Sequence, residues 1–207
     1  AKILLKFTNS LKNKPLIILF SSAAIYGNHC LKYKKKTIPI SPYGKNKLLA
    51  ESILKNKSPK KKFKLIILRF YSIYGLGLKK QLIWDACNKI NKFKNNFFGS
   101  GKEIRSWINI IDVVNLIEFI LKKKIKKNVT LDIASNDVLE NHVILKKLFI
   151  LFNLNKEPKF NNLQKKGDPI KQIYNNKKLK KIGWNSKIKL SQGLKDYVLW
   201  FKKNLKK

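Results

Sequence analysis

A chain of 207 residues with 47 Lys and Arg against 11 Asp and Glu carries a formal net charge of +36. It is long enough to bury a substantial core, and no apolar run reaches the roughly 18 residues that a membrane-spanning helix needs. Its two cysteines, Cys30 and Cys87, have no disulfide or metal-ligand spacing, so the expectation is a soluble cytoplasmic protein with no metal site. The charge points first to nucleic acid or an anionic surface. Yet Arg occurs only at Arg69 and Arg105, and nucleic-acid readers favour the forked guanidinium. Lys spread evenly with Asn and Ile, all A/T-rich codons, reads instead as drift on solvated faces. Neither a nucleic-acid nor a membrane partner is expected.

In chain order, residues 1–12 read as a helix leading into an apolar run, Pro15 to Phe20, of buried-strand length. That strand, 16–21, ends at Ser21-Ser22. Pro42 suits the first position of a helix over 43–57, and Phe63 to Leu68 opens a strand over 63–69. Strand, loop, helix, strand is the grammar of a parallel sheet. Gln81 to Phe93 reads as a helix and 104–109 as a short strand. Asp112 to Lys123 reads as an amphipathic helix, with Val113, Val114, Ile117, Ile120 and Leu121 on one face and Asp112 near the favourable N-terminus. Val129 to Ala134 is the expected last strand of the main sheet. Val138 to Phe152 and Leu190 to Asn204 read as helices. The lysines at 34–36, 60–62 and 122–124 read as loop or helix-end charges. There is no internal repeat and no linker.

One constellation carries chemistry. Tyr43 and Lys47, four residues apart, share a helical face. A cation held beside a phenol stabilises the phenolate, and such a tyrosine moves protons to and from a hydroxyl near neutral pH. Ser22, at the end of the preceding strand, is placed to bond the same oxygen. In so Lys-rich a chain the Tyr43–Lys47 spacing alone is common; its position one strand–loop–helix step after Ser21-Ser22 gives it weight.

Five segments in order carry a family resemblance: Ser21 to Gly27, Pro39 to Lys47, Leu68 to Gly77, Gly99 to Asp112, and Gly167-Asp168 followed by Lys178 to Trp184. The chain resembles, from Pro15 to Trp200, the extended short-chain dehydrogenase/reductase superfamily, specifically its NAD-dependent sugar-nucleotide epimerase/dehydratase branch. The family's glycine-rich phosphate turn is not found: Gly75-x-Gly77 and Gly99-x-Gly101 lack the third glycine. The expectation is therefore an N-terminally truncated chain.

The resemblance implies an α/β fold: a Rossmann-like parallel sheet with helices on both faces, its first βαβ units missing, plus a smaller α/β C-terminal substrate lobe. Residues 1–78 and 128–136 would form the cofactor half, and 79–127 and 137–207 the nucleotide-sugar lobe. It implies NAD as cofactor, Tyr43 as acid/base, Lys47 as the residue that bonds the nicotinamide ribose and stabilises the phenolate, and Ser22 as partner of the reacting hydroxyl. Tyr71 would lie against the nicotinamide end. Ser72 stands where the family usually has an Asn that touches the substrate phosphate. Arg105 would pair with the diphosphate. Lys165 and Asp168 match an R-x-G-D-like nucleotide contact, with Lys losing the fork of Arg.

The 4,6-dehydratases carry an Asp-Glu pair after the Ser/Thr, where this chain has Ala23 and Ala24. That leaves 4-epimerisation of a nucleotide diphosphate sugar, of the UDP-glucose/UDP-galactose type, as the expected activity. A related dehydratase, reductase or decarboxylase stays open, as does a non-catalytic basic binding protein. For the complete protein the resemblance implies a homodimer through the Tyr43 helix and the helix after the next strand and loop, with Leu48, Leu49, Ile53 and Leu54 supplying apolar surface on the first. The 207 residues alone are expected to be inactive.

Overall fold

The computed structural model describes residues 1–29, 36–57, 63–123, 128–174 and 177–205. Cys30 and the lysines at 34, 35, 60–62 and 124 lie outside the described residues. Helix α1 (Lys2–Ser10) leads into β1 (Leu16–Ser22), and a 3-10 segment (Ala23–His29) follows directly. Then come α2 (Pro42–Lys57), β2 (Lys64–Phe70), β3 (Ser72–Tyr74), α3 (Gln81–Asn91), β4 (Asn96–Phe97), β5 (Ile104–Asn109) and α4 (Ile110–Lys122). The chain continues through β6 (Val129–Ile133), β7 (Val138–Glu140), α5 (Asn141–Leu151), β8 (Lys159–Phe160), β9 (Lys171–Gln172), α6 (Lys177–Lys181) and α7 (Leu190–Asn204).

The first sheet has the order β1-β2-β6 and is wholly parallel. Its centre, β2, alternates between two cores, as the two-residue period of a strand requires. Leu65 and Ile67 pack with Ile17, Phe63 and Leu54 of α2, and Leu5 of α1 leans on the same cluster. Ile66, Leu68 and Phe70 face the other way, onto Val113, Leu116 and Ile120 of α4 and Leu179 of α6. Helices thus cover both faces, as expected of a parallel sheet whose strands are apolar on both sides. β6 is its last strand.

A second sheet forms around β5, with β3 and β9 parallel to it and β7 antiparallel. Its helices α3, α5 and α7 bury Cys87, Ile90, Leu148, Phe149, Tyr197 and Phe201 together. The chain passes between the sheets at Tyr71, whose N–H still bonds Ile133 O at 3.1 Å before Ser72 pairs with Trp107. Helix α4, though it lies in the stretch assigned from sequence to the second lobe, buries its apolar side against the first sheet.

Three expectations are corrected. The predicted helix over 138–152 starts only at Asn141, because Val138–Glu140 pair with Ile104–Ser106 and complete the edge of β5. On α4 the buried face is Val113, Leu116 and Ile120, while Val114 and Leu121 are exposed; the 3.6-residue period turns those two about 100° from the core stripe. On α2, Leu54 is fully buried and Leu48 packs against the core, so the apolar surplus reduces to Leu49 and the half-buried Ile53.

Candidate active site

Helix α2 begins where local chemistry dictates. Ser41 Oγ accepts from Gly44 N at 3.1 Å, and Ser41 O accepts the first helical bond from Lys45 N at 3.0 Å. Ser41 is thus the N-cap and Pro42 the first helical residue, each the preferred type there. A Cβ on Gly44 would stand 2.5 Å from the carbonyl oxygen of Ala24. Glycine is what lets the first turn of α2 lie against the segment that follows Ser22. Ser22 Oγ in turn accepts from Ala24 N at 3.2 Å.

Tyr43 is 56 % exposed on this turn. The Lys47 ammonium lies 5.6 Å from the centre of the Tyr43 ring and donates to Phe20 O at 2.8 Å. The structure therefore brings Tyr43 and Lys47 together at the carboxyl end of β1, the strand that closes at Ser22. Open α/β sheets place their ligands at such strand ends.

Behind them lies a buried polar row that the sequence reading passed over. Glu51 is 0 % exposed. Its carboxylate receives Arg69 Nε at 2.9 Å, Arg69 Nη2 at 2.6 Å and Ser21 Oγ at 2.6 Å. Arg69 Nη1 donates to Tyr26 Oη at 2.6 Å, and Tyr26 donates to Asp132 Oδ1 at 2.7 Å. Burial raises the Glu51 carboxyl, but the bonds from Arg69 and Ser21 and the guanidinium charge outweigh it and hold the group below its ordinary value. Burial, together with the Asp132 charge, pushes the Tyr26 phenol well above its usual range, so it stays a donor. One signal was available: Glu51 is one of 11 acids in a chain of 47 bases, and it repeats the Tyr43, Lys47 spacing one turn on.

The other predicted residues fall in a second cluster. Arg105 is buried; Nη2 donates to Asp168 Oδ1 at 2.9 Å, and Nη1 donates to Ile104 O at 3.0 Å and Ile170 O at 3.2 Å. Asp168 is half exposed and closes a turn with its N–H on Lys165 O at 3.0 Å; the Lys165 side chain is exposed. Gly167 packs on Ser41, and Ile170 N bonds Asn28 Oδ1 at 3.1 Å. The Arg105 cluster is thereby fastened to the loop that caps the Tyr43 helix. Ser72 pairs with Trp107, two residues along β5 from Arg105, and Tyr71 precedes it where the chain passes between the sheets. The Tyr71 ring is buried edge-to-face on Tyr174 at 5.7 Å, and Ser72 is half buried in β3.

Other chemistries find less support. The Cys87 thiol is buried and pushed up to about 12, which makes it a poor nucleophile. Among the described residues, no group of three or more His, Cys, Asp or Glu side chains is placed to hold a metal, and no helix is long and apolar enough to cross a membrane.

A parallel sheet covered on both faces, with a Tyr–Lys pair on the helix packed at a strand end, defines a Rossmann-like α/β protein. The profile of the NAD dependent epimerase/dehydratase family matches residues 3–134, and the chain belongs to that family. An uncharacterized protein of Schizosaccharomyces pombe is 24 % identical over 95 % of this chain and 64 % of its own length. The structure of a Thermotoga maritima UDP-glucose 4-epimerase with UDP-glucose is similar at 26 % identity and a TM-score of 0.81, over 92 % of this chain and 64 % of that one. The Bacillus cereus UDP-glucuronic acid 4-epimerase, in complex with UDP-glucuronic acid and NAD, shares the fold at 22 % identity and a TM-score of 0.85, over 97 % of this chain and 65 % of that one. The chain spans somewhat less than two thirds of each of these proteins.

Proposed function

We propose that this chain carries the acid/base centre of an NAD-dependent 4-epimerase acting on a nucleotide diphosphate sugar, with UDP-glucose and UDP-galactose as the favoured pair. The observation that supports it most is the exposed Tyr43 phenol with the Lys47 ammonium anchored beside it on Phe20 O. That donor set fits the nicotinamide ribose and a substrate hydroxyl side by side. When bound, NAD supplies the hydride acceptor and donor. Tyr43 takes the proton from the sugar C4 hydroxyl and returns it after the keto sugar has turned over, Lys47 steadies the phenolate, and Ser22 bonds the reacting oxygen. Tyr71 would approach the nicotinamide end, and Ser72 the substrate phosphate. Ala23 and Ala24 leave no carboxylates there for an elimination, which favours epimerisation over 4,6-dehydration.

On the same reading Arg105 takes the diphosphate, sharing its Nη2 arm with Asp168 or displacing it, with Lys165 beside the nucleotide. Arg105→Ala is expected to weaken UDP-sugar binding by about 1.5–3 kcal/mol, the worth of a charged hydrogen bond, and Arg105→Lys to recover part of it. Calorimetry with UDP checks this, and unchanged affinity in the Ala variant assigns Arg105 to structure alone.

Leu49, 59 % exposed on α2, and its neighbour Ile53 are offered as the seam of a homodimer. Sedimentation of the complete protein at micromolar concentration should give a dimer that Leu49→Glu converts to monomer; a monomer throughout removes the proposal. No glycine-rich phosphate turn occurs in the 207 residues. We therefore expect this chain by itself to bind NAD weakly and to lack turnover, which fluorescence titration and a UDP-galactose assay test directly. Active enzyme containing this chain should interconvert UDP-galactose and UDP-glucose. Turnover only of dTDP-glucose would move the assignment to a dehydratase. Steeply salt-dependent polyanion binding that ignores UDP would move it to a basic binding protein.

A further inference from the structure

Glu51 lies one turn beyond Lys47 and two beyond Tyr43 on α2, so all three project from one side of the helix. Ser21, Arg69 and Asp132 are register partners on adjacent strands, and they form a polar row straight across the first sheet. The row sits beside Leu54, Leu65 and Ile67, where an apolar core continues. An ion pair buried here is a poor stabiliser, since apolar residues of similar volume often do as well or better. What the forked Arg69–Glu51 pair adds is direction. Its two contacts, at 2.9 and 2.6 Å, aim the Glu51 carboxylate from β2, and the Ser21 hydroxyl at 2.6 Å ties that carboxylate, and α2 with it, to β1.

The row meets the candidate site at adjacent residues. Lys47 bonds the carbonyl oxygen of Phe20, and Glu51 holds the hydroxyl of Ser21. Any slip of α2 that breaks the second contact displaces the first. Tyr26 extends the row into the 3-10 segment that directly follows Ser22, tying that segment to β2 and β6. We propose that Glu51, Arg69 and Ser21 are positioning residues: they set the register of α2 against β1 and so place the Lys47 ammonium beside Tyr43. This rests on the reading of Tyr43 and Lys47 as the reacting pair.

The test uses the 207-residue chain and needs no turnover. Competitive amine labelling read by mass spectrometry compares Lys47 with the exposed Lys45 two residues away. In the native chain the bond to Phe20 O should make Lys47 roughly 2- to 10-fold slower than Lys45. The double variant Glu51→Leu/Arg69→Met should keep its thermal midpoint, because apolar packing replaces the pair, yet lose that protection. Ser21→Ala, which leaves the Arg69–Glu51 fork intact, should lose it too, and Ser21→Thr, which keeps a hydroxyl, should retain it. If the double variant does not fold, the two Ser21 variants decide. Lys47 protection unchanged in folded Ser21→Ala overturns the proposal.

In active enzyme the same variants should lower kcat on the order of 10- to 100-fold with little change in KM, as misplaced catalytic groups do. Lost Lys47 protection with undiminished kcat would uphold the positioning and reject Tyr43–Lys47 as the reacting pair, so the two failures are distinct.

Discussion

Tyr43→Phe in active enzyme is expected to lower turnover by about 10²- to 10⁴-fold, the usual worth of a positioned acid/base, while nucleotide-sugar binding stays nearly unchanged. The substitution removes one oxygen from an exposed ring on the first turn of α2. The helix is capped by Ser41 and seated through Gly44, neither of which involves the phenol. Lys47 keeps its bond to Phe20 O. The loss therefore falls on proton transfer and not on folding or the diphosphate grip. A coupled assay gives kcat and calorimetry gives affinity. Near-normal turnover in the Phe variant would remove Tyr43 from the mechanism, and the proposed epimerase with it.

The second large effect is on stability. Glu51→Ala strands the Arg69 guanidinium in the sheet and opens a cavity beneath α2, at an expected cost of about 3–5 kcal/mol. Measured against the roughly 5–15 kcal/mol of a whole domain, that should bring the chain to the edge of unfolding in urea. The exposed Glu118–Lys122 pair at 2.6 Å is the control: Glu118→Ala should be barely detectable. The pH dependence has a definite sign. The Glu51 carboxyl is held below the ordinary Glu value of 4.5 when folded, so its contribution is whole above that value and fades as pH falls through the depressed one. In Glu51→Leu/Arg69→Met that acid-side fading should disappear. A cost for Glu51→Ala no larger than the control's would mean that the row is solvated and carries nothing.

The contrast between these sites explains what was legible in the residues. Tyr43 and Lys47 are four apart on one helix, and Ser41, Pro42 and Gly44 mark its start locally. Arg69 and Glu51 are 18 residues apart, and Arg105 and Asp168 are 63 apart. No periodicity links such pairs; only the parallel register of β1, β2 and β6 and the packing of α2 bring them together. From sequence Arg105 and Asp168 were two separate nucleotide contacts. In the fold each is the other's partner, a relation visible only once the 165–170 segment is pinned to Asn28 and Ser41.

Local pattern by itself determined the class of fold, the long strands and helices of the first sheet, the span of α7 over Leu190–Asn204 and the Tyr43–Lys47 pair. These rest on apolar runs, capping chemistry and the four-residue helical repeat, all encoded within a few residues of where they act. Tertiary structure alone decided β3, β7 and β9, strands of two or three residues that exist because β5 offers them unpaired backbone. It also decided which way α4 faces, and that the scarce acids Glu51, Asp132 and Asp168 serve Arg69, Tyr26 and Arg105. The physical reason is desolvation. A buried charge is tolerable only beside its partner, and which partner that is depends on strands that are neighbours in space and distant along the chain.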